Sequence, residues 1–186
     1  MSRTPEELLA LLDQAEQGPS GPPVEKWNPP LSGDMDMRIA ADGTWYHEGD
    51  PIRRHGLVKL FSSILRLDGD DYVLVTPVEK WRIQVDDLPF LAHSVEQVVR
   101  DGRNWLLFTT NVDEHLVAGE AHPLSVPTTE EGEPRPRVLV RRNLFARVSR
   151  SAFYQLVEWG EPRTIKGQDQ LLVSSGDTEI VLGSLN

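Results

Sequence analysis

Thr76-Pro77-Val78-Glu79-Lys80-Trp81-Arg82-Ile83-Gln84-Val85-Asp86-Asp87-Leu88-Pro89-Phe90 decides the fold, because it closes one structural unit and leads into the next. In front of it, Tyr72-Val73-Leu74-Val75 is a short apolar, β-branched run preceded by the turn residues Asp68-Gly69-Asp70-Asp71, the pattern of a buried strand. Within it, Trp81, Ile83 and Val85 alternate with Arg82, Gln84 and Asp86, so a strand here buries one face and keeps the other polar. Pro77 cannot donate to a central ladder, which makes residues 76–80 a connection or an edge. Thr76, Glu79 and Lys80 are therefore expected near a rim that a ligand or partner can reach.

Working outward, residues 4–7 carry a Thr cap, Pro at the first helical position and Glu three residues after the cap, which predicts a helix whose apolar face is Leu8, Leu9, Leu11, Leu12 and Ala15. A helix this short persists only when docked. The Gly and Pro of residues 18–23 form a linker, with Trp27 expected to pin it to the body. Met35, Met37 and Ile39 then alternate with charged residues, Asp42-Gly43 signals a hairpin, residues 45–47 return, and residues 52–54 give a third strand. Leu57, Leu60, Phe61, Ile64 and Leu65 fall on one helical stripe.

Further strands are expected at residues 94–99, 105–110, 114–118, 122–126, 138–140 and 144–146. A helix over 149–159 follows, with Phe153, Leu156 and Val157 on one face and Gly160 as its stop, and a hairpin pairs 171–173 with 180–182. Residues 44–65 match 136–157 in pattern, placing Phe61 on Phe153, although identity across the window is essentially absent. The predicted fold is α+β: two small, mainly antiparallel units, each with one packed helix, and an N-terminal helix docked outside. Residues 1–30 hold that helix and the linker, 31–93 the first unit and 94–186 the second.

The chain has 186 residues, with 39% hydrophobic and 26% charged, values ordinary for a soluble globular protein. Lys plus Arg number 19 against 29 Asp plus Glu, a net charge of -10 that repels phosphate backbones and anionic lipid. Nucleic acid and membrane are accordingly not expected as partners. Absence of cysteine excludes disulfides and thiolate chemistry. No cationic and apolar leader opens the chain and no apolar run nears about 18 residues, so the cytoplasm is the expected location.

Gly33-Asp34-Met35-Asp36-Met37-Arg38-Ile39, Gly43-Thr44-Trp45, Leu57-Val58-Lys59-Leu60-Phe61-Ser62-Ser63 and Thr76-Pro77-Val78-Glu79-Lys80 are together similar to the bacterial family called domain of unknown function 1285. The likeness runs from Trp27 to about Glu158 and does not extend to the tail, residues 174–186. It implies a duplicated two-domain core whose C-terminal domain is loosely pleckstrin-homology-like. It also implies an interface pocket for a nucleotide-based ligand and a role in signalling, and it brings no catalytic residue.

The residues themselves offer little catalytic chemistry. Asp34 and Asp36 share a strand face that suits a divalent cation, but an Asp36–Arg38 pair on a solvated face is the preferred reading. Asp113-Glu114-His115 reads as a turn beside a strand rather than as metal ligands. His47, His55, His93, His115 and His122 form no metalloprotease frame, and no nucleophile elbow or phosphate loop occurs. No cofactor or metal is expected, and a binding module is preferred to an enzyme, Glu79 being the carboxylate that keeps an enzyme open.

What stands out is a basic set in an acidic chain: Arg38, Arg53, Arg54, Lys59, Lys80, Arg82, Arg141 and Arg142. Trp45, Trp81, Trp105 and Phe108 read as core before they read as stacking surfaces. The expectation is a sensor whose unit seam binds a small anionic, nucleotide-like molecule. Arg38 and Lys80 would meet the charge, Thr76 and Glu79 would orient the ligand, and Phe61 would support the wall. A protein-interaction module without a small ligand is the alternative.

Overall fold

A computed structural model describes residues 3–17 and 21–185. Helix α1 (Pro5–Glu16) begins as the capping pattern requires: the Glu7 amide donates to Thr4 Oγ1 and the Thr4 amide to the Glu7 carboxylate. Leu12 is fully buried with Val98 and Leu107, and Leu8, Leu9, Leu11 and Ala15 pack around them. The Arg100 guanidinium holds Asp13 and Glu16, and Arg3 pairs with Glu96. The helix is thus fastened to the second unit. Replacing Leu12 with Asp is expected to raise amide hydrogen exchange across residues 5–16 while leaving residues 71–75 protected, because this small apolar cluster stands apart from the main core.

Of the expected linker, residues 18–20 lie outside the described residues. After it the chain forms a single 3₁₀ turn (Val24–Lys26). Val24 is the buried anchor there and Trp27 only half-buried, a correction with a clear cause. Arg66 donates to the carbonyls of both Val24 and Trp27 at 2.7 Å, so the segment is pinned through its backbone.

The first sheet holds β1 (Gly33–Ile39), β2 (Trp45–His47), β3 (Asp50–Pro51), β4 (Leu65–Asp68), β5 (Asp71–Val75) and β6 (Lys80–Val85) in the order β3-β2-β1-β6-β5-β4, with β1 and β6 parallel. The third strand is Asp50–Pro51 rather than 52–54, at the sheet edge where a proline costs no ladder bond. Helix α2 (His55–Ser63) connects β3 to β4. Its inward residues are Val58 and Ser62 with Phe61 half-buried, while Leu57 and Leu60 are 37% and 60% exposed. The expected five-residue stripe fails because the helix stops at Ser63 and Leu65 enters the core as the first residue of β4, opposite Leu74.

The second unit holds β7 (Phe90–Arg100), β8 (Arg103–Thr110), β9 (His115–Val117), β10 (Leu124–Ser125), β11 (Arg137–Arg141) and β12 (Leu144–Val148) in the order β10-β11-β12-β7-β8-β9, with β12 and β7 parallel. Read from its other edge, this is the strand order of the first sheet. Two three-stranded meanders join through a parallel pair formed by their first and last strands. The duplication is real, but its equivalence sets β1–β6 on β7–β12. Helix α3 (Arg150–Trp159) follows the sixth strand, whereas α2 lies between the third and fourth, so Phe61 and Phe153 are not counterparts.

On α3, capped by Ser149, Ala152 and Leu156 are the buried residues, and Val157 is 38% exposed. A separate sheet of β13 (Glu161–Ile165), β14 (Gln168–Ser175) and β15 (Thr178–Ser184) packs across β8 and β10. Buried Ser175 joins it to the second sheet, accepting from the Leu106 amide and donating to the Ala118 carbonyl. Strand β13 has no apolar periodicity to announce it, being an exposed polar edge.

One apolar core runs through both units, from Met37, Trp45 and Leu74 to Phe90, Phe108 and Leu156. Hydrogen bonds stitch the seam around it: Asn111 to the Gly43 carbonyl, Asn143 to the Leu67 carbonyl, and His55 to Asp113 at 2.7 Å. The sheets part at residues 86–89, since β7 runs continuously through the expected boundary at 93/94.

Candidate functional site

The structure does not gather the five expected ligand residues. Thr76 Oγ1 accepts from the Val78 and Glu79 amides, so it closes the β5–β6 turn on itself, and Glu79 is exposed there. Lys80 donates to Asp68, which also receives both arms of Arg66. Arg38 lies beside Gln84 on the parallel ladder, about 13 Å along β6 from Lys80. Its guanidinium pairs with Asp86 at 2.5 Å and covers the Tyr46 ring. Phe61 stacks on Trp45 under α2, with ring centroids 6.4 Å apart.

This polar face is a lattice of ion pairs. Arg82 takes Asp34 and Asp71, so Asp34 is committed to Arg82, and the expected Asp36–Arg38 pair gives way to Arg38–Asp86 across neighbouring strands. The Arg82 contact holds the Asp34 carboxyl below its ordinary range. Among the described residues, no three His, Asp or Glu side chains are gathered in a metal-binding cluster.

A cavity of about 680 Å³ opens between α1, the segment around the 3₁₀ turn, the last turn of α2, and the β8–β9 and β11–β12 turns of the second sheet. Three cations face it: Lys59, Arg141 and Arg142. Arg141, only 10% exposed, pairs with Glu114 at 2.5 Å, donates to the Ser62 carbonyl of α2 and lies over the Phe90 ring. It is a structural cation, already satisfied.

Arg142 differs. It occupies a left-handed turn position at φ 52, and its guanidinium donates to the Leu65 carbonyl at 3.3 Å. Burial first, then repulsion by Arg141, pull it below its ordinary value, while the charges of Glu25 and Glu114 oppose that pull. An arginine remains charged under such conditions, so an anion beside it is favoured. Among the described residues neither Arg142 nor Lys59 has an ion-pair partner.

Two histidines share the cavity. His122 lends Nδ1 to the Leu139 carbonyl at 2.9 Å, so that nitrogen carries the proton and the neutral ring keeps Nε2 as an acceptor. His115 meets Thr109, and burial, with repulsion from Arg3, lowers its affinity for a second proton. Glu114 and Asp113 are occupied by Arg141 and His55. Asp113 takes a left-handed backbone in the β8–β9 turn, as the turn reading of residues 113–115 requires.

Lys59, Arg141 and Arg142 belong to the basic set visible in the sequence. Nothing in a linear pattern brings α2 next to the β11–β12 turn. His122 carried no signal.

A second cavity of about 440 Å³ adjoins the first between α1 and strands β9 and β11. Its wall is mostly apolar, built by Trp105, Val117, Ala118, Ala121 and Leu139. Ala15, His122, Val140, Arg141 and Arg142 line both spaces.

Comparison with known proteins places this geometry in a family. The family model described as domain of unknown function (DUF1285), N-terminal domain, matches residues 22–88, and that of the DUF1285 C-terminal domain matches 89–182. The second match reaches well into the tail that the sequence resemblance left uncovered. The crystal structure of a DUF1285 family protein from Silicibacter pomeroyi DSS-3 is 44% identical, covers 94% of this chain and 95% of its own, and superposes with a TM-score of 0.79. Another, from Shewanella baltica OS155, is 28% identical over 67% of this chain and 91% of its own, with a TM-score of 0.53. No curated protein matches the chain significantly.

Proposed function

The chain belongs to the DUF1285 family, with its duplicated two-domain core, and from that premise we propose that it binds a small organic anion, nucleotide-like in character, in the seam cavity and acts as a sensor of it. The observation that carries this reading is the pair Arg142 and Lys59, which face a cavity of about 680 Å³ without an ion-pair partner among the described residues. Cavities of this size at domain boundaries are where small ligands bind. Lys59 comes from α2 and Arg142 from the second sheet, so an anion held by both adds contacts across the seam.

The continuous core makes a large rotation of the two units costly. A sensed change is therefore expected in α1 and the segment around the 3₁₀ turn, which wall the cavity from outside that core. Such a protein would meet its ligand in the cytoplasm.

A thermal-shift panel of AMP, ATP, GTP and a cyclic dinucleotide tests the reading. A nucleotide at about 100 times its dissociation constant is expected to add roughly 2.7 kcal/mol to stability. Arg142→Ala and Lys59→Ala should each remove most of that gain, and Arg82→Ala, on the ion-paired outer face, should keep it. The alternative is a protein-interaction module, favoured by exposed Leu57 and Leu60 beside Lys59 on α2. No nucleotide shift, together with a partner lost on Leu60→Asp, would establish that alternative.

A further inference from the structure

The two cavities adjoin and have unlike linings. Ala15, His122, Val140, Arg141 and Arg142 line both, so the cationic space and the apolar one meet along these residues. The apolar end is fixed in shape. Trp105 is held by a bond from its indole nitrogen to the Arg100 carbonyl and by the Arg100 guanidinium over its ring. Its far edge rests on Gly176, where a Cβ would lie 2.4 Å from the ring and where φ is +59. Glu16, Glu120, Arg141 and Arg142 are the charged groups on that lining. Glu16 is taken by Arg100, and Arg141 by Glu114. An inorganic anion would occupy the cationic end and leave the apolar end unused.

We infer that the ligand is amphipathic: an organic phosphate or similar anion whose charge sits between Lys59 and Arg142 and whose apolar or aromatic group fills the space walled by Trp105, Val117, Ala121 and Leu139. This rests on the anion reading of the cleft and specifies the other half of the molecule. Ala121 is exposed and lines only the apolar end, so a large side chain there blocks it without disturbing the core.

The test measures binding of methyl, butyl, hexyl and phenyl phosphate and of AMP to the full chain by calorimetry. Each methylene buried in the apolar end should tighten binding by roughly fourfold, so hexyl phosphate should far exceed methyl phosphate. Ala121→Trp should abolish that rise, while Arg142→Ala should weaken every member alike. AMP or phenyl phosphate above the alkyl series would assign an aromatic group, and hexyl phosphate above AMP an aliphatic one. If methyl phosphate binds and longer chains gain nothing, or if Ala121→Trp leaves the rise intact, this inference is overturned and the anion site stands. If no phosphate binds wild-type protein, both readings fall. A melting temperature of Ala121→Trp within a few degrees of wild type certifies the variant's fold.

Discussion

Phe108→Ala is expected to lower unfolding stability by about 3–5 kcal/mol. Phe108 lies on β8 between Val95 of β7 and Leu116 of β9, with all three in the main core and Phe108 fully buried. Removing the ring loses its transfer free energy and leaves a void that two laddered strands cannot collapse to fill. For a chain of this length the melting temperature should fall by about 2–4 °C for each kcal/mol lost. Because the core is continuous, the loss should appear in one transition, reported alike by Trp45 and Trp81 in the first unit and by Trp105 and Trp159 in the second. Single-Trp variants unfolding in urea at different midpoints would show that the units unfold separately.

How much was legible follows from what each residue needed in order to fold. The strands around Trp81 could be read because alternation is a local property, and burial of one face enforces it. Helix α1 could be read because its capping box is a four-residue device. What failed was non-local. Leu57 and Leu60 look like a buried stripe until β4 draws Leu65 into the sheet and ends the helix at Ser63. The duplication was visible as a repeated grammar, yet its register was misplaced, because two helices at different points in the strand order gave the better linear match.

The seam does hold a cavity, but none of Arg38, Phe61, Thr76, Glu79 and Lys80 lines it. Arg38 and Lys80 attracted notice as cations in an acidic chain, but the same acidity supplies each with a carboxylate, Asp86 and Asp68. A cation becomes a ligand candidate when the fold removes it from such partners. Arg142 meets that condition only after the β11–β12 turn is set against Leu65, a contact across 77 residues.

Asp87→Ala is the second change of large expected effect, because this residue fastens the chain where the two sheets part. Its carboxylate receives Nε and Nη2 of Arg147 at 2.9 and 3.0 Å and Nη2 of Arg135 at 3.0 Å, and the Asp87 and Arg147 side chains are only 19% and 16% exposed. Arg147 also donates to the Arg135 and Pro136 carbonyls, so it stays in place, with its charge unpaired, when Asp87 is removed. Removing one partner of a buried pair costs about 3–5 kcal/mol, and the remaining exposure here reduces that to about 2–4. The bond from Arg147 is the main reason the Asp87 carboxyl sits below its ordinary value, with burial working the other way. A carboxylate depressed in the folded state stabilises above its unfolded value of about 3.9 and loses that contribution as pH falls through the folded one. Wild type should therefore lose stability more steeply than Asp87→Asn as pH drops below about 4, while the carboxylates on Asp34, Asp68 and Glu16, also depressed, contribute equally to both. Urea midpoints measured from pH 6 to pH 2 would show the two curves converging in acid; parallel curves would mean that the Asp87 pair contributes nothing to holding the seam.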